Sequence, residues 1–405
     1  MKISKIELKG FKGKNLTINL GNNPSKVVLL IGPNGSGKSS IIDSINASKI
    51  RAKGNALENK YYTDKKDNGY IPNINELVKI HMQNNENFNA DSFYIRSPNR
   101  KNSELSFSSI KMTPNLINDN DAPLNMIKED NRIQNNYLNA YNYYQKNLQD
   151  QNLKHSEAMN KSFLKTNKIL KKLLNIEITS LGRPIEGNGT FIFNKNGKNI
   201  NYNILSSGEK EIFDLVLDLD LKLKSFPNSI FLIDEPELHI NSNLQKKLAI
   251  ELANLIPETS QIWFATHSLG IIRAVCDSLK DNSSIISLYN KNETILTPIK
   301  INKNIWNKIL NDTIDDLKHL SSPANIIFCE GKYKQVNNKE SGLDAKIYKK
   351  IFENSYPNFD FVSTGSCNDL KHRHKIVETL ITKTIPGVNF LKLIDLDERT
   401  EEGRI

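Results

Sequence analysis

Val27-Val28-Leu29-Leu30-Ile31 runs directly into Gly32-Pro33-Asn34-Gly35-Ser36-Gly37-Lys38-Ser39, and that junction decides the fold. Five apolar residues without a charge read as a buried strand, and the apolar spacing over Ser39–Ala47 turns helical. Between them lies GxxxxGK[ST], a glycine-rich turn whose backbone N–H groups converge on phosphate at a helix N-terminus. Gly32, Asn34, Gly35, Gly37, Lys38, Ser39 and Ser40 are therefore the candidate ATP-binding residues. Lys38 is expected to reach the β and γ phosphates, and the Ser39 hydroxyl to ligate Mg2+. An ordinary glycine turn before a helix is the competing reading, and the complete motif in its strand–loop–helix setting weighs against it.

Upstream, Ile3, Ile6 and Leu8 and then Leu16, Ile18 and Leu20 alternate with polar residues, which reads as two strands turning at Gly10–Gly13. Downstream, Phe191–Phe193 leads to a hairpin over Asn196-Gly197. A helix from Ser207 to Leu221, a strand Ile230–Ile233, a helix near Asn243–Leu255 and a strand Gln261–Ala265 follow. This alternation predicts an α/β domain with a largely parallel sheet. Phe231-Leu232-Ile233-Asp234-Glu235-Pro236 sets two carboxylates at the end of an apolar strand, Asp234 to hold the magnesium shell and Glu235 to polarise an attacking water. Thr266-His267 ends the next strand and offers an imidazole to sense the γ phosphate. A lone histidine is more often structural, and it is the position one strand beyond the paired acids that favours function.

From about 50 to 185 the chain is rich in asparagine and tyrosine and poor in sustained apolar faces, although Leu164, Ile169, Leu173 and Leu174 hint at an amphipathic helix. This stretch is expected to be an inserted, largely helical lid. Within it, Arg96 and Arg100 are either phosphate, nucleotide or nucleic-acid contacts or plain solvated charges.

Leu205-Ser206-Ser207-Gly208-Glu209-Lys210 opens a helix. Alone it is an N-cap with a capping glutamate; in register with the other motifs it resembles the signature of ABC-type ATPases, with Ser207 at a usual glycine. In that family this helix start binds the γ phosphate held by the opposite protomer. The resemblance thus implies ATP sandwiched in a homodimer or higher oligomer, with Ser206 and Gly208 supplied by the second copy. Ile6–Phe11 with Lys12-Gly13, and Glu235-Pro236-Glu237-Leu238-His239, look like the chromosome-maintenance and recombination-ATPase branch. No glutamine of the family pattern is assigned, with Gln83, Gln134 and Gln145 as candidates. Phe93–Arg100, Asp130-Asn131-Arg132 and Asn136-Tyr137 resemble the insertion of the overcoming-lysogenization-defect (OLD) ATPases.

The polar stretch Asn311–Pro323 marks the expected boundary, giving an ATPase domain over 1–310, a linker over 311–323 and a smaller α/β domain over 324–405. Glu330 follows the apolar strand Asn325–Cys329, and Asp395 and Asp397 end the strand Phe390–Ile394. Carboxylates gathered at strand ends can hold one or two magnesium ions for phosphodiester cleavage, while N-caps and solvated acids are the plainer reading. With Ser341–Tyr348 and Thr364–Cys367, the arrangement resembles the Toprim domain that accompanies OLD ATPases, so Glu330, Asp395 and Asp397 are the candidate nuclease residues. An insertion, Lys332–Glu340, departs from the pattern. The chain also stops at Ile405, where a nuclease-competent unit would be expected to continue, so the tail reads as degenerate or the sequence as a fragment.

At 405 residues, 38% hydrophobic and 25% charged, the composition is that of a soluble globular protein of two domains. No h-region or membrane-length apolar run is present, so a cytoplasmic location is expected. Cys276, Cys329 and Cys367 are scattered and read as buried thiols. The formal net charge of +10 favours a nucleic-acid partner, though lysine and asparagine are abundant throughout. The leading expectation is an ATP-gated, magnesium-dependent Toprim nuclease in anti-phage defence, acting with a protein partner of the same system. The alternative is a sensor or scaffold ATPase whose C-terminal domain binds without cutting.

Overall fold

The computed structural model describes residues 1–53, 73–101, 103–107, 126, 129–150, 152–184, 188–290, 292–299, 325–329, 335–336, 339–340, 343–352, 355, 359–363 and 389–393. The chain divides into two compact units, Met1–Thr313 and Ile314–Ile405.

The first unit opens with strands β1 (Ile3–Phe11) and β2 (Lys14–Asn19), joined by Lys12-Gly13. Both turn residues have positive φ, 47° and 71°, the twist that a tight hairpin requires. Strand β3 (Val27–Ile31) and helix α1 (Lys38–Ala52) follow. Next come β4 (Val78–Met82), β5 (Phe93–Arg96) and helices α2 (Ile133–Asp150) and α3 (His155–Leu174). A meander of β6 (Ile176–Arg183), β7 (Asn188–Lys195) and β8 (Lys198–Asn201) precedes α4 (Ser207–Ser225). The unit continues with β9 (Ile230–Asp234), α5 (Ser242–Leu255), β10 (Gln261–Thr266), α6 (Leu269–Arg273), β11 (Ser283–Ser287) and β12 (Ile295–Leu296).

Strands β11, β3, β10, β9 and β5 form, in that order, a wholly parallel sheet. Every residue of β3, β9 and β10 is buried, as a sheet covered on both faces demands. The period-two alternation of β3 assigns its side chains to two cores. Val27, Leu29 and Ile31 pack with apolar residues of α2 to α5. Val28 and Leu30 pack with Ile41, Ile42 and Ile45 of α1 and with the inner face of a second sheet, β12-β2-β1-β4.

The expectation of a helical lid over 50–185 is corrected for its described part. Helices α2 and α3 are there, with Ile169 and Leu173 buried and Leu164 68% exposed. Yet β4 completes the second sheet, and β5 is the edge strand of the parallel sheet, paired with β9 from Phe93↔Ile230 to Arg96↔Ile233. A four-residue apolar run ending in arginine carries too little periodicity to be told from loop. Nor is Arg96 a surface charge. It is fully buried, with its Nε 3.3 Å from Asp130 and its other nitrogens on Asp214 and Asp218 of α4.

The second unit has a parallel sheet, β16-β13-β17, of β13 (Asn325–Cys329), β16 (Phe359–Ser363) and β17 (Asn389–Leu393). Helix α7 (Leu343–Phe352) lays Tyr348 and Phe352 against Phe361, ring centroids 5.7 and 5.6 Å apart. Between β13 and α7 sits a short pair, β14 (Gln335–Val336) and β15 (Lys339–Glu340). The linker 311–323 lies outside the described residues. No helix among the described residues is long and apolar enough to cross a membrane.

Candidate functional site

In a parallel sheet all strands deliver their C-terminal ends to one edge, where sites are built. Here β3 delivers Gly32, β9 delivers Asp234 and Glu235, and β10 delivers Thr266 and His267. The register holds them level, with Ala265 opposite both Leu30 and Asp234.

The glycine-rich loop wraps over the start of α1. Gly35 and Gly37 stand at φ +75° and +106°, left-handed values that L side chains rarely adopt. Gly37 is the N-cap of α1 and has no side-chain cap, so the first backbone N–H groups of the helix are left for another acceptor. Lys38 is 5% exposed and folds back, donating to the carbonyls of Gly32 at 2.7 Å and Pro33 at 3.1 Å. Burial lowers its pKa, while Asp234, Glu235 and Glu237 act in the opposite sense. Asn34 and Gly35 are exposed, and Ser39 and Ser40 are half-buried.

Asp234 is fully buried, and neither carboxylate oxygen has a hydrogen-bond partner. Burial pushes its pKa up to about 7; the Ser39 hydroxyl beside it pulls the other way, without a well-formed hydrogen bond. An orphaned carboxylate next to a hydroxyl is an oxygen donor pair suited to a hard cation, and Mg2+ fits it. Glu235 follows at φ +47°, a costly backbone for glutamate. That backbone is held on three sides. Its N–H donates to the Ala265 carbonyl at 2.9 Å, and Arg100 donates to the carbonyls of Asp234 at 2.8 Å and Glu235 at 2.7 Å.

Ser206 caps α4 in a reciprocal box: its N–H donates to Glu209 at 3.0 Å, and its hydroxyl accepts the Glu209 N–H at 3.4 Å. Ser206 and Ser207 are nonetheless exposed. Gly208 lies against the turn that follows Glu235, where a Cβ would come 2.7 Å from the His239 carbonyl oxygen. The capping reading of Leu205–Lys210 is thus realised, on a helix end that stays open to solvent.

Two residues of the site, Glu237 and Lys14, were not selected from the sequence, and a third, Arg100, stood open between a phosphate, nucleotide or nucleic-acid contact and a solvated charge. Glu237 is 7% exposed and accepts the Thr266 hydroxyl at 2.6 Å and the His267 N–H at 3.2 Å. Lys14, on β2, donates to the Ser36 carbonyl at 2.9 Å and fills the space that the missing Gly37 side chain leaves. It lines, with Gly13, Gly35, Ser36, Asn290 and Glu293, a cavity of about 250 Å³ beside the loop. The Arg100 side chain is 2% exposed, so it is no solvated charge. The Glu235-Pro236-Glu237 spacing carried a signal for Glu237 and the Phe93–Arg100 resemblance one for Arg100; Lys14 reaches the site by folding alone.

Glu330, Asp395 and Asp397 lie outside the described residues. The strands leading to them, β13 and β17, are parallel and paired through Cys329 and Leu393. Among the described residues no group of three His, Cys, Asp or Glu could hold a metal ion.

Residues 52–273, more than half of the chain, match the family described as "AAA domain, putative AbiEii toxin, Type IV TA system", and the chain belongs to that family. No curated protein matches it. Among solved structures it is similar to an SMC head bound to the C-winged helix domain of ScpA, at 14% identity over 76% of this chain and 100% of the other, TM-score 0.40. It is also similar to the SMC head domain from Thermotoga maritima, at 15% identity over 74% and 100%, TM-score 0.38. A third is the recombination mediator protein RecF with ATPrS, at 14% identity over 74% and 98%, TM-score 0.35. By family the chain carries an AAA-type ATPase domain.

Proposed function

Starting from that ATPase family, we propose that the chain hydrolyses ATP at the Gly32–Ser40 loop, closing as a homodimer around two nucleotides. The observation that carries this is Asp234, buried with both oxygens unpartnered beside Ser39, at the sheet edge that also presents Lys38, Glu235 and His267. Asp234 and Ser39 would hold Mg2+, which supplies charge neutralisation at the β and γ phosphates. Lys38 leaves the carbonyls of Gly32 and Pro33 for the phosphates, and the uncapped N–H groups of α1 donate to the remaining phosphate oxygens. The cavity beside Lys14 has room for the nucleoside end. Glu235 takes the position of the group that orients and polarises the attacking water, with His267 at the γ phosphate. The exposed Ser206 and the half-buried Gly208 of a second copy close the sandwich, so that turnover requires dimerisation.

The output of that cycle, in this proposal, is a magnesium-dependent Toprim nuclease of the OLD kind, built on Glu330, Asp395 and Asp397 and acting on nucleic acid in anti-phage defence. The toxin–antitoxin wording of the family description is in keeping with a defence role.

ATP turnover that survives Lys38→Ala would overturn the ATPase site. Sedimentation of Glu235→Gln with and without ATP tests the sandwich, an unchanged monomer counting against it. Plasmid cleavage with magnesium, abolished in Asp395→Ala, tests the nuclease. A parent that turns over ATP yet nicks neither DNA nor RNA leaves a sensor or scaffold ATPase instead.

A further inference from the structure

Arg100 sits four residues beyond the edge strand β5, and its guanidinium uses all three nitrogens. Nε pairs with Glu211 on the second turn of α4, Nη1 donates to the carbonyls of Ser97 and Asp234, both at 2.8 Å, and Nη2 donates to the carbonyl of Glu235 at 2.7 Å. The Asp234 and Glu235 carbonyls belong to the two peptides on either side of the Glu235 Cα. Holding both fixes φ and ψ of that one residue, and the φ so fixed is +47°, a value glutamate does not adopt unaided. The third anchor is on a different element. Glu211, 1% exposed, belongs to the helix that Ser206 opens, on the face that also gives Asp214 and Asp218 to Arg96.

We propose that Arg100 is the positioning residue for hydrolysis: it sets the Glu235 carboxylate by clamping the backbone on both sides of it and ties that setting to the helix opened by Ser206. A push on the exposed start of α4, as a second copy closing there would give, passes through Glu211 and Arg100 to the hydrolytic turn in the same protomer. This rests on the ATPase reading of the site. A rigid planar fork with donors in three directions is needed; a lysine ammonium keeps the charge but cannot span two carbonyls and a carboxylate in one plane.

The test compares full-length parent, Arg100→Lys and Glu211→Gln for ATP turnover, equilibrium binding of a fluorescent ATP analogue and thermal melting. Arg100→Lys is expected to lower kcat about 10- to 100-fold, the scale of a small misplacement of a reacting group, with KM and analogue affinity changed less than about threefold. Glu211→Gln keeps the carbonyl clamp and loses less, under about tenfold in kcat. An Arg100→Lys kcat within about twofold of the parent, or a loss seen wholly in KM and analogue binding, overturns the inference. If Arg100→Lys does not melt cooperatively, the pair Arg100→Met with Glu211→Met, which leaves no buried charge unpaired, takes its place under the same two outcomes. A parent whose turnover is absent or insensitive to Lys38→Ala sinks the ATPase reading itself; normal parent turnover with an unaffected Arg100→Lys sinks only the positioning role.

Discussion

Glu237 joins the acidic turn after β9 to His267 at the end of β10: one carboxylate oxygen accepts the Thr266 hydroxyl at 2.6 Å and the His267 backbone N–H at 3.2 Å. The same oxygen stands 3.5 Å from His267 Nδ1. Two strand ends are thereby held as a unit, and the Thr266 hydroxyl passes the constraint on by accepting the Ser268 N–H at 2.8 Å.

Glu237→Ala is expected to lower kcat about tenfold with ATP affinity kept, and to cost about 1–3 kcal/mol for the partners left unsatisfied. Adding His267→Ala should then do little more, because residues acting as a unit are not additive. Steady-state kinetics of the two single variants and the double variant check this; independent, additive losses would separate the two residues.

Asp234 makes stability depend on pH in the metal-free protein. Its folded pKa of about 7 lies above the unfolded carboxylate value near 4, so the folded form holds a proton between those values that the unfolded chain has lost. The stability this contributes is complete below about pH 4 and is lost as pH rises through about 7. In chelator, the parent's melting temperature should fall from about pH 5 to about pH 8, whereas Asp234→Asn should fall less and exceed the parent at the upper end. Magnesium should restore the parent and leave the variant unmoved. A parallel pH response in both proteins would refute the assignment.

Arg96 is surrounded by Asp130, Asp214 and Asp218, and Asn136 donates to Asp214 at 3.2 Å. Removing Arg96 takes the guanidinium from Asp214 and Asp218, while Asp130 keeps Arg132 at 2.8 Å. Arg96→Met should cost about 3–5 kcal/mol in denaturant unfolding. A loss below about 1 kcal/mol would show that the acids are satisfied without it.

Gly208 has no room for a methyl group, since a Cβ would meet the His239 carbonyl oxygen at 2.7 Å, and that oxygen is backbone. Gly208→Ala should displace the start of α4 from the turn after Glu235. ATP binding by the monomer is expected to persist while ATP-dependent dimerisation and turnover fall together, read by sedimentation and phosphate release. Dimerisation at the parent's level would dissociate Gly208 from the sandwich.

Sequence-local features carried the nucleotide loop, the capped start of α4 and the buried strands, because each depends on a spacing of at most a dozen residues. Val27–Ile31, Ile230–Asp234 and Gln261–Thr266 are apolar without interruption, and the glycines fall where the chain turns. The edge strand β5 escaped that reading, since four residues in a polar, asparagine-rich stretch show no period. Arg96 and Arg100 could not be decided between ligand contacts and solvated charges for the same reason, as nothing near them in sequence reveals what they face.

What the sequence determined by itself, then, is chemistry set by neighbours along the chain: Lys38 and Ser39 after a glycine turn, Asp234 and Glu235 after an apolar strand, Ser206 opening a helix. Only the tertiary structure decided which distant groups fix those side chains in place. Arg100 reaches Glu235 across 135 positions and Arg96 reaches Asp218 across 122. Such pairings are set by parallel strand order and by burial, which forces every charge carried inward to find a partner wherever the fold places one.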